Sequence, residues 1–285
     1  MPAPFASSDR FPPSLPMSRA QFLHLAAASA AGLILGGPAR AAEGVPSPAM
    51  LTRPIPATGE ALPVIGCGTY VGFDVAPGSA EYQRLPGVLQ ALFGAGGAVI
   101  DSSPMYGRAE AVTGELLAAA GSHGKAFLAT KVWTRGRTEG IRQMEESLRR
   151  LQVERLDLMQ IHNLVDWQTH LATLRDWKAA GRVRYLGVTH YTAGAYDALE
   201  AVMRAEALDF VQINYSADER EAERRILPLA AERGMAVIIN RPFGGGGLLR
   251  RLRDRPLPAW AAEIGATSWA QVLLKFVLSH PAVTC

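Results

Sequence analysis

Leu156-Asp157-Leu158-Met159-Gln160-Ile161-His162, then the amphipathic stretch Gln168–Ala180, then Val183-Arg184-Tyr185-Leu186-Gly187-Val188: this run decides the fold. Two short apolar segments of strand length flank one segment of helix length. Short apolar strands without polar alternation are buried on both faces, and sheets of that kind are parallel, with helices as crossovers. The same unit recurs on both sides. Strands are expected at Val64–Cys67, Ala98–Asp101, Ala126–Val132, Phe210–Asn214 and Ala236–Asn240. Helices are expected at Glu110–Ala120, Gly140–Leu151, Ala195–Ala205 and Glu221–Arg233, the last ending at Gly234. Seven such units over roughly 220 residues fit a (β/α)8 TIM barrel of the α/β class better than an open sheet. No G-x-G-x-x-G follows a strand, which disfavours a Rossmann domain.

The two ends of this pattern differ from its middle. Leu51–Pro56 and Ala61–Ile65, joined by Ala57-Thr58-Gly59-Glu60, read as an N-terminal β-hairpin. Ser268–Ser279 reads as the seventh major helix, and Pro281-Ala282-Val283-Thr284-Cys285 as the beginning of an eighth strand. The eighth βα unit is therefore expected to be incomplete, as in a C-terminally truncated barrel with unpaired strand edges at its seam. The domain reading is a signal peptide at 1–41, a linker at 42–50 and the barrel at 51–285.

Composition narrows the partners. The chain has 285 residues, 48% hydrophobic, enough for one sizeable core, and a formal charge of +3. Residues 1–41 carry Arg10, Arg19 and Arg40 against Asp9, a net +2, which leaves +1 for the rest. No basic stripe interleaved with aromatics is present, so nucleic acid is not expected as a partner. The two cysteines, Cys67 and Cys285, and the scattered histidines lack metal-ligand spacing, and no metal is expected. Cys67 and Cys285 fall on first and eighth strands, which adjoin in a closed barrel; an export context would permit a disulfide, but two buried thiols are the expectation. Ser18-Arg19-Ala20-Gln21-Phe22-Leu23 before the Ala-rich run Leu25–Leu35, with Ala39-Arg40-Ala41 after it, reads as an export signal cleaved after Ala41. It resembles a twin-arginine signal in which Ala20 replaces the second arginine. A periplasmic mature protein is expected, without stable membrane insertion and with export-machinery contact through the signal; a cytoplasmic location is the alternative.

The chemistry lies where strands end, because a barrel of this kind places reactive groups at the C-terminal ends of its strands. Asp101 ends one strand, Tyr106 follows in Ser102–Gly107, Lys131 lies near the end of the next strand, and His162 ends the one after. Each has an ordinary structural reading alone: a cap, an edge lysine, a satisfied buried histidine. Together, on consecutive units, they describe carbonyl reduction. A tyrosine of pKa about 10 donates a proton without ionising at neutral pH. A lysine cation beside it favours phenolate and makes it a stronger acid, a carboxylate holds the lysine, and a neutral histidine orients the carbonyl oxygen.

These residues stand in stretches that resemble the aldo/keto reductases. Val99-Ile100-Asp101-Ser102-Ser103-Pro104-Met105-Tyr106-Gly107-Arg108-Ala109-Glu110 with Gly114-Glu115-Leu116-Leu117 is similar to their D-T-A-x-x-Y-G-x-S-E-x-x-x-G signature. Leu128-Ala129-Thr130-Lys131, Asp157–His162 and Gly181–Val188 are similar to three further family motifs. The resemblance implies a catalytic set of Asp101, Tyr106, Lys131 and His162, and NADPH as cofactor with NADH possible. It implies cofactor contacts at Gly68 and Thr69, at Asp101, at Thr189-His190 where the family has Ser-Asn, at Gln212, and at Asn240-Arg241-Pro242-Phe243-Gly244. The glycines of that last loop permit close approach to phosphate or simply make the loop flexible. Tyr70, Phe73, Trp133 and Trp167, with Asn163, are candidates to line a pocket for a small-molecule carbonyl substrate, although each aromatic also reads as loop packing. Two other functions stay open at this point. One is a non-catalytic, binding or regulatory barrel; the other is a Schiff-base aldolase using Lys131.

Overall fold

The computed structural model describes residues 49–285. The signal expected over 1–41 and most of the 42–50 linker lie outside the described residues. Two short strands, β1 (Thr52–Pro54) and β2 (Ala61–Pro63), pair antiparallel as the expected hairpin. Seven strands then form one parallel sheet in chain order. They are β3 (Gly66–Gly68), β4 (Val99–Asp101), β5 (Phe127–Val132), β6 (Leu156–His162), β7 (Val183–Thr189), β8 (Phe210–Asn214) and β9 (Ala236–Asn240). The helices are α1 (Ala80–Gly94), α2 (Ala109–Ala119), α3 (Arg137–Leu151), α4 (Trp167–Ala179), α5 (Tyr196–Ala205), α6 (Ile226–Glu232), α7 (Gly247–Leu252) and α8 (Trp269–Leu278). This is the expected (β/α)8 architecture as a nearly closed barrel. Among the described residues no helix is long and apolar enough to cross a membrane.

Alternation along each strand builds two cores. Val99, Phe127, Ala129, Leu158, Tyr185, Phe210, Ala236 and Ile238 point inward and fill the barrel. Ile100, Leu128, Val132, Met159, Ile161, Val188, Val211, Ile213 and Val237 point outward and pack beneath the helices. The hairpin plugs the barrel floor with Ile55 and Leu62, both buried in the inner core and each worth about 1.5–3 kcal/mol. Glu60 ties the plug down: Tyr185 donates to its carboxylate at 2.6 Å, and Arg184 pairs with both Glu60 and Asp157. Gly187 is required inside the barrel, since a Cβ there would lie 2.6 Å from the Phe210 carbonyl oxygen.

The eighth position is begun but does not extend to a strand. Thr284 and Cys285 dock on β9: both amides donate to the Val237 carbonyl, at 2.9 and 3.0 Å, and Ile239 donates to Cys285 at 2.8 Å. Both cysteines are free thiols. Burial, with Asp101 adding to it, pushes the Cys285 thiol up to about 12.

Four elements depart from the sequence expectation. Helix α1 was hidden by Pro86 and Gly87 within it; Ser79 caps it by accepting from the Tyr82 amide at 3.1 Å. The stretch expected as one helix over Glu221–Arg233 splits into a 3-10 turn, Glu221–Arg224, and α6. Pro228 explains the break. Within one continuous helix it would remove a hydrogen bond and clash with the residue four before it, but in the first turn of a new helix it is tolerated. The first barrel strand is also displaced, to Gly66–Gly68, and α7 is an addition.

Candidate active site

The inward alternation that fills the floor continues one step further up each strand, and there it turns polar. Above Val99 comes Asp101, above Ala129 Lys131, above Leu158 Gln160, above Phe210 Gln212, and above Ile238 Asn240. Registry pairs Asp101 with Ala129, so Lys131 reaches back diagonally to it. The Lys131 Nζ donates to Asp101 Oδ2 at 2.6 Å and to the Ser102 carbonyl at 2.7 Å. Asp101 Oδ1 accepts from Gln160 at 3.1 Å and from Gln212 at 3.0 Å. One carboxylate on β4 thus fixes a lysine and two amides from three other strands, β5, β6 and β8.

Lys131 is completely buried. Burial pulls its ammonium below the ordinary lysine range, and Asp101 offsets that pull. The Nζ sits 5.1 Å from the Tyr106 ring centroid. His162 lies edge-on to the same ring, centroids 5.8 Å apart. The four expected catalytic residues therefore converge. A Schiff-base role for Lys131 finds no support, because its Nζ is unreachable and already shared between Asp101 and Ser102.

The electrostatics of Tyr106 differ from the sequence expectation. The lysine was expected to make the phenol more acidic. Instead burial, then Asp101, then Tyr70 push it well above the ordinary tyrosine range. Desolvation is the largest of these causes. The raised phenol favours its protonated form, which can donate a proton. Burial, the Lys131 charge and His190 together hold His162 down to about 3. Its Nδ1 lies 2.9 Å from the Ser103 hydroxyl. With that hydroxyl donating, the neutral ring carries its proton on Nε2 and can donate to a substrate oxygen.

The residues expected for the cofactor form an arc across the ends of β7, β8 and β9. Thr189 donates to the Gln212 amide oxygen at 3.2 Å, and Asn240 donates to the His190 carbonyl at 2.9 Å. His190, standing where the family has asparagine, stacks on Tyr191 with centroids 5.4 Å apart. The Asn240 Oδ1 is buried without a partner among the described residues, an acceptor left for a ligand donor. Beyond it Arg241, Pro242, Phe243 and Gly244 turn sharply. Arg241 and Gly244–Gly246 all have positive φ, and the Arg241 guanidinium lies 5.9 Å from the Tyr191 ring centroid. On the other rim, Gly68 opens on empty space, while Thr69 is buried and donates its hydroxyl to Ser102 at 2.9 Å. An orphan amide acceptor beside a glycine loop fits a nicotinamide dinucleotide.

The substrate residues divide. Tyr70 is 66% exposed with its ring 5.0 Å from Tyr106, and Trp133 is 41% exposed with its ring 6.3 Å from His162. Asn163 turns at positive φ beside His162, its buried Oδ1 unpartnered among the described residues. Phe73 and Trp167, by contrast, pack into the outer core, Phe73 being buried. Several residues escaped the sequence reading. Gln160 and Ser103 complete the polar layer. Val71 and Met105 add exposed apolar surface at the mouth. Val71 sits in a γ-turn closed by the Gly72 amide on the Tyr70 carbonyl at 2.7 Å, with φ of 63°. That conformation is strained for a β-branched residue, and it holds Tyr70 and Val71 out over the site. Alternation on the strand would have found Gln160; nothing in the sequence signals the turn.

Comparison with known proteins agrees with this geometry. The sequence profile of the Aldo/keto reductase family matches residues 64–285. The chain is 32% identical over 230 residues to the methylglyoxal reductase YeaE of Escherichia coli strain K12, covering 78% of this chain and 79% of that protein. It is 27% identical over 190 residues to the aldo-keto reductase YhdN of Bacillus subtilis strain 168, covering 61% and 56%. Its structure resembles that of an aldo-keto reductase from Klebsiella pneumoniae in complex with NADPH, with a TM-score of 0.68, 29% identity, and coverage of 79% and 80%.

Proposed function

The chain belongs to the aldo/keto reductase family, and from that premise we propose that it reduces the carbonyl group of a small aldehyde or ketone to an alcohol, using NADPH, or NADH in its place, with Tyr106 as proton donor. The observation that carries the reading is the convergence of Tyr106, Lys131, Asp101 and His162 on one polar layer at the barrel mouth. When bound, the nicotinamide supplies an electron pair and a hydrogen to the carbonyl carbon. The chain does the rest. Gln212, Thr189 and Asn240 present amide and hydroxyl groups to the nicotinamide end, and the Gly244–Gly246 loop offers close backbone approach to the phosphates. His162 Nε2–H orients the carbonyl oxygen. Tyr106 gives its proton to that oxygen as negative charge develops there, and the Lys131 ammonium stabilises the phenolate left behind.

Methylglyoxal, the substrate in the name of the Escherichia coli relative, heads the panel to test, with longer aliphatic and aromatic aldehydes beside it. Tyr106→Phe is expected to lower kcat by about 10²–10⁴ while an NADPH fluorescence titration gives an unchanged Kd. Near-normal turnover in that variant would refute the assignment.

We further propose that residues 1–41 are an export leader removed after Ala41, so that the enzyme works in the periplasm. The support is Arg19 ahead of the apolar run and Ala39 and Ala41 at its end. N-terminal sequencing of periplasmic material should begin at Ala42; a chain confined to the cytoplasm with Ala39 still attached would end the idea.

A further inference from the structure

One buried carboxylate takes no part in the chemistry above. Glu110, in the first turn of α2, is 1% exposed. It lies on the helix side of β5, where the Thr130 hydroxyl donates to its Oε1 at 2.6 Å. Thr130 directly precedes Lys131. Neighbouring strand residues face opposite sides, so Thr130 points outward to Glu110 while Lys131 points inward to Asp101. The other oxygen, Oε2, has no hydrogen-bond partner among the described residues; Arg150 of α3 stands 3.9 Å away. The hydroxyls of Thr113, one turn on along α2, and of Ser147 on α3 are also buried without partners among the described residues. Packing holds this polar pocket shut. At Gly114 a Cβ would run into the Arg150 carbonyl, so α2 and α3 meet backbone to backbone.

A buried, half-satisfied carboxylate is costly, and a core of this kind would gain by replacing it with an apolar side chain unless its charge serves something. The groups around it favour the charged form. Burial, the largest influence, raises Glu110 above its ordinary range, and Thr130, Arg150 and Lys131 pull against that rise. The helix N-terminus beneath it adds a positive field. Conversely, the charged groups around Lys131 are Asp101 on β4, in direct contact, and Glu110 on α2, across the strand, and both raise its proton affinity against burial. Its other neighbours, Gln160 and His162 on β6 and Tyr106 after β4, are neutral.

We propose that Glu110 is a positioning residue for the reaction: its carboxylate, anchored through Thr130 on the outer face of β5, keeps the Lys131 ammonium charged and directed at Asp101 and Tyr106 on the inner face. The role in turnover rests on the reductase reading; the electrostatic link between Glu110 and Lys131 does not. The two can be tested apart, because the chain has only four lysines, Lys125, Lys131, Lys178 and Lys275. With lysine labelled at the ε-carbon, NMR follows each one through a pH titration of the unliganded protein. In Glu110→Gln, which keeps the shape and removes the charge, the Lys131 midpoint should fall by about 0.5–1 pH unit while the other three stay in place. A purely structural Glu110 would leave that midpoint unmoved, and an unmoved midpoint in a folded variant overturns the proposal. Should Glu110→Gln not fold, Thr130→Val removes the anchoring donor and must move the midpoint the same way; no movement there overturns the proposal equally. In the active enzyme the alkaline limb of kcat should shift down with the lysine. A wild-type chain that reduces no carbonyl would defeat the reductase reading and leave the lysine titration to decide this one.

Discussion

The sharpest test of the polar layer is Asp101→Asn. The carboxylate is 14% exposed and its partner, Lys131, not at all, so the pair behaves as a buried ion pair. Removing one member of such a pair strands the other charge, which costs about 3–5 kcal/mol. Here the Ser102 carbonyl continues to accept from Nζ at 2.7 Å, and the introduced amide oxygen can accept as well. The lower end, about 3 kcal/mol, is therefore expected. For a domain of this size each kcal/mol moves Tm by about 2–4 °C, so Tm at pH 7 should fall by about 6–12 °C. The pH dependence has a definite sign. Burial already pulls Lys131 below its ordinary range, and Asp101 is the leading group opposing that pull. Without it the folded-state value drops further below the unfolded value of about 10.4, and the unfolded chain then binds more protons than the folded one. Stability of the variant must rise with pH below the unfolded lysine value, and the deficit should shrink as pH rises towards it. Thermal melts by circular dichroism on both proteins across that range measure it. A Tm change below about 2 °C at pH 7, or a deficit that widens with pH, would show that Asp101 does not carry the lysine's charge.

Two further outcomes follow from neighbouring contacts. Because His162 is held down to about 3, its ring is neutral throughout the physiological range, and kcat should show no histidine limb between pH 5 and pH 8. An acid limb near pH 6.5 that disappears in His162→Gln would contradict this. Arg53 on β1 donates to the carbonyls of Leu278, His280 and Val283, capping α8 and tying the hairpin to the segment that begins the eighth position. Arg53→Ala should lower stability by about 1–3 kcal/mol, read in denaturant midpoints, with little effect on NADPH affinity.

Where the sequence sufficed and where it did not has a physical pattern. Strands β6, β8 and β9 lie at the expected residues because burial along most of their length leaves little choice of register or face. Helix α1 and the split before α6 were obscured by prolines, whose effect depends on whether a helix runs through them or starts at them. Phe73 and Trp167 were candidates for the pocket because they stand on loops at the catalytic face. They turn inward to the outer core, and a side chain's direction from a loop is set by packing partners far away in sequence. Tyr70 and Trp133, equally ambiguous in sequence, stay exposed.

The same alternation explains why the converging polar residues at the barrel mouth were readable and Glu110 was not. On β4, β5, β6, β8 and β9 the inward series is apolar at the floor and polar one step higher, so the period that predicts the fold also predicts the site. That stacking sets the chemistry as well. An apolar floor under Asp101, Lys131 and Gln160 desolvates the layer, and desolvation is the leading cause of the lowered Lys131 and His162 and the raised Tyr106. A proton donor that stays protonated and a histidine that stays neutral are therefore properties of the barrel's cross-section, not of four side chains taken separately. The outward series carries no comparable signal. Thr130 looks like any strand threonine until α2 closes over it, and Glu110 looks like any solvated helix residue until Gly114 lets α3 come close enough to bury it. What the sequence leaves hidden is the reverse face of the catalytic strand, where a charge one residue out of phase with Lys131 can act on it without ever entering the site.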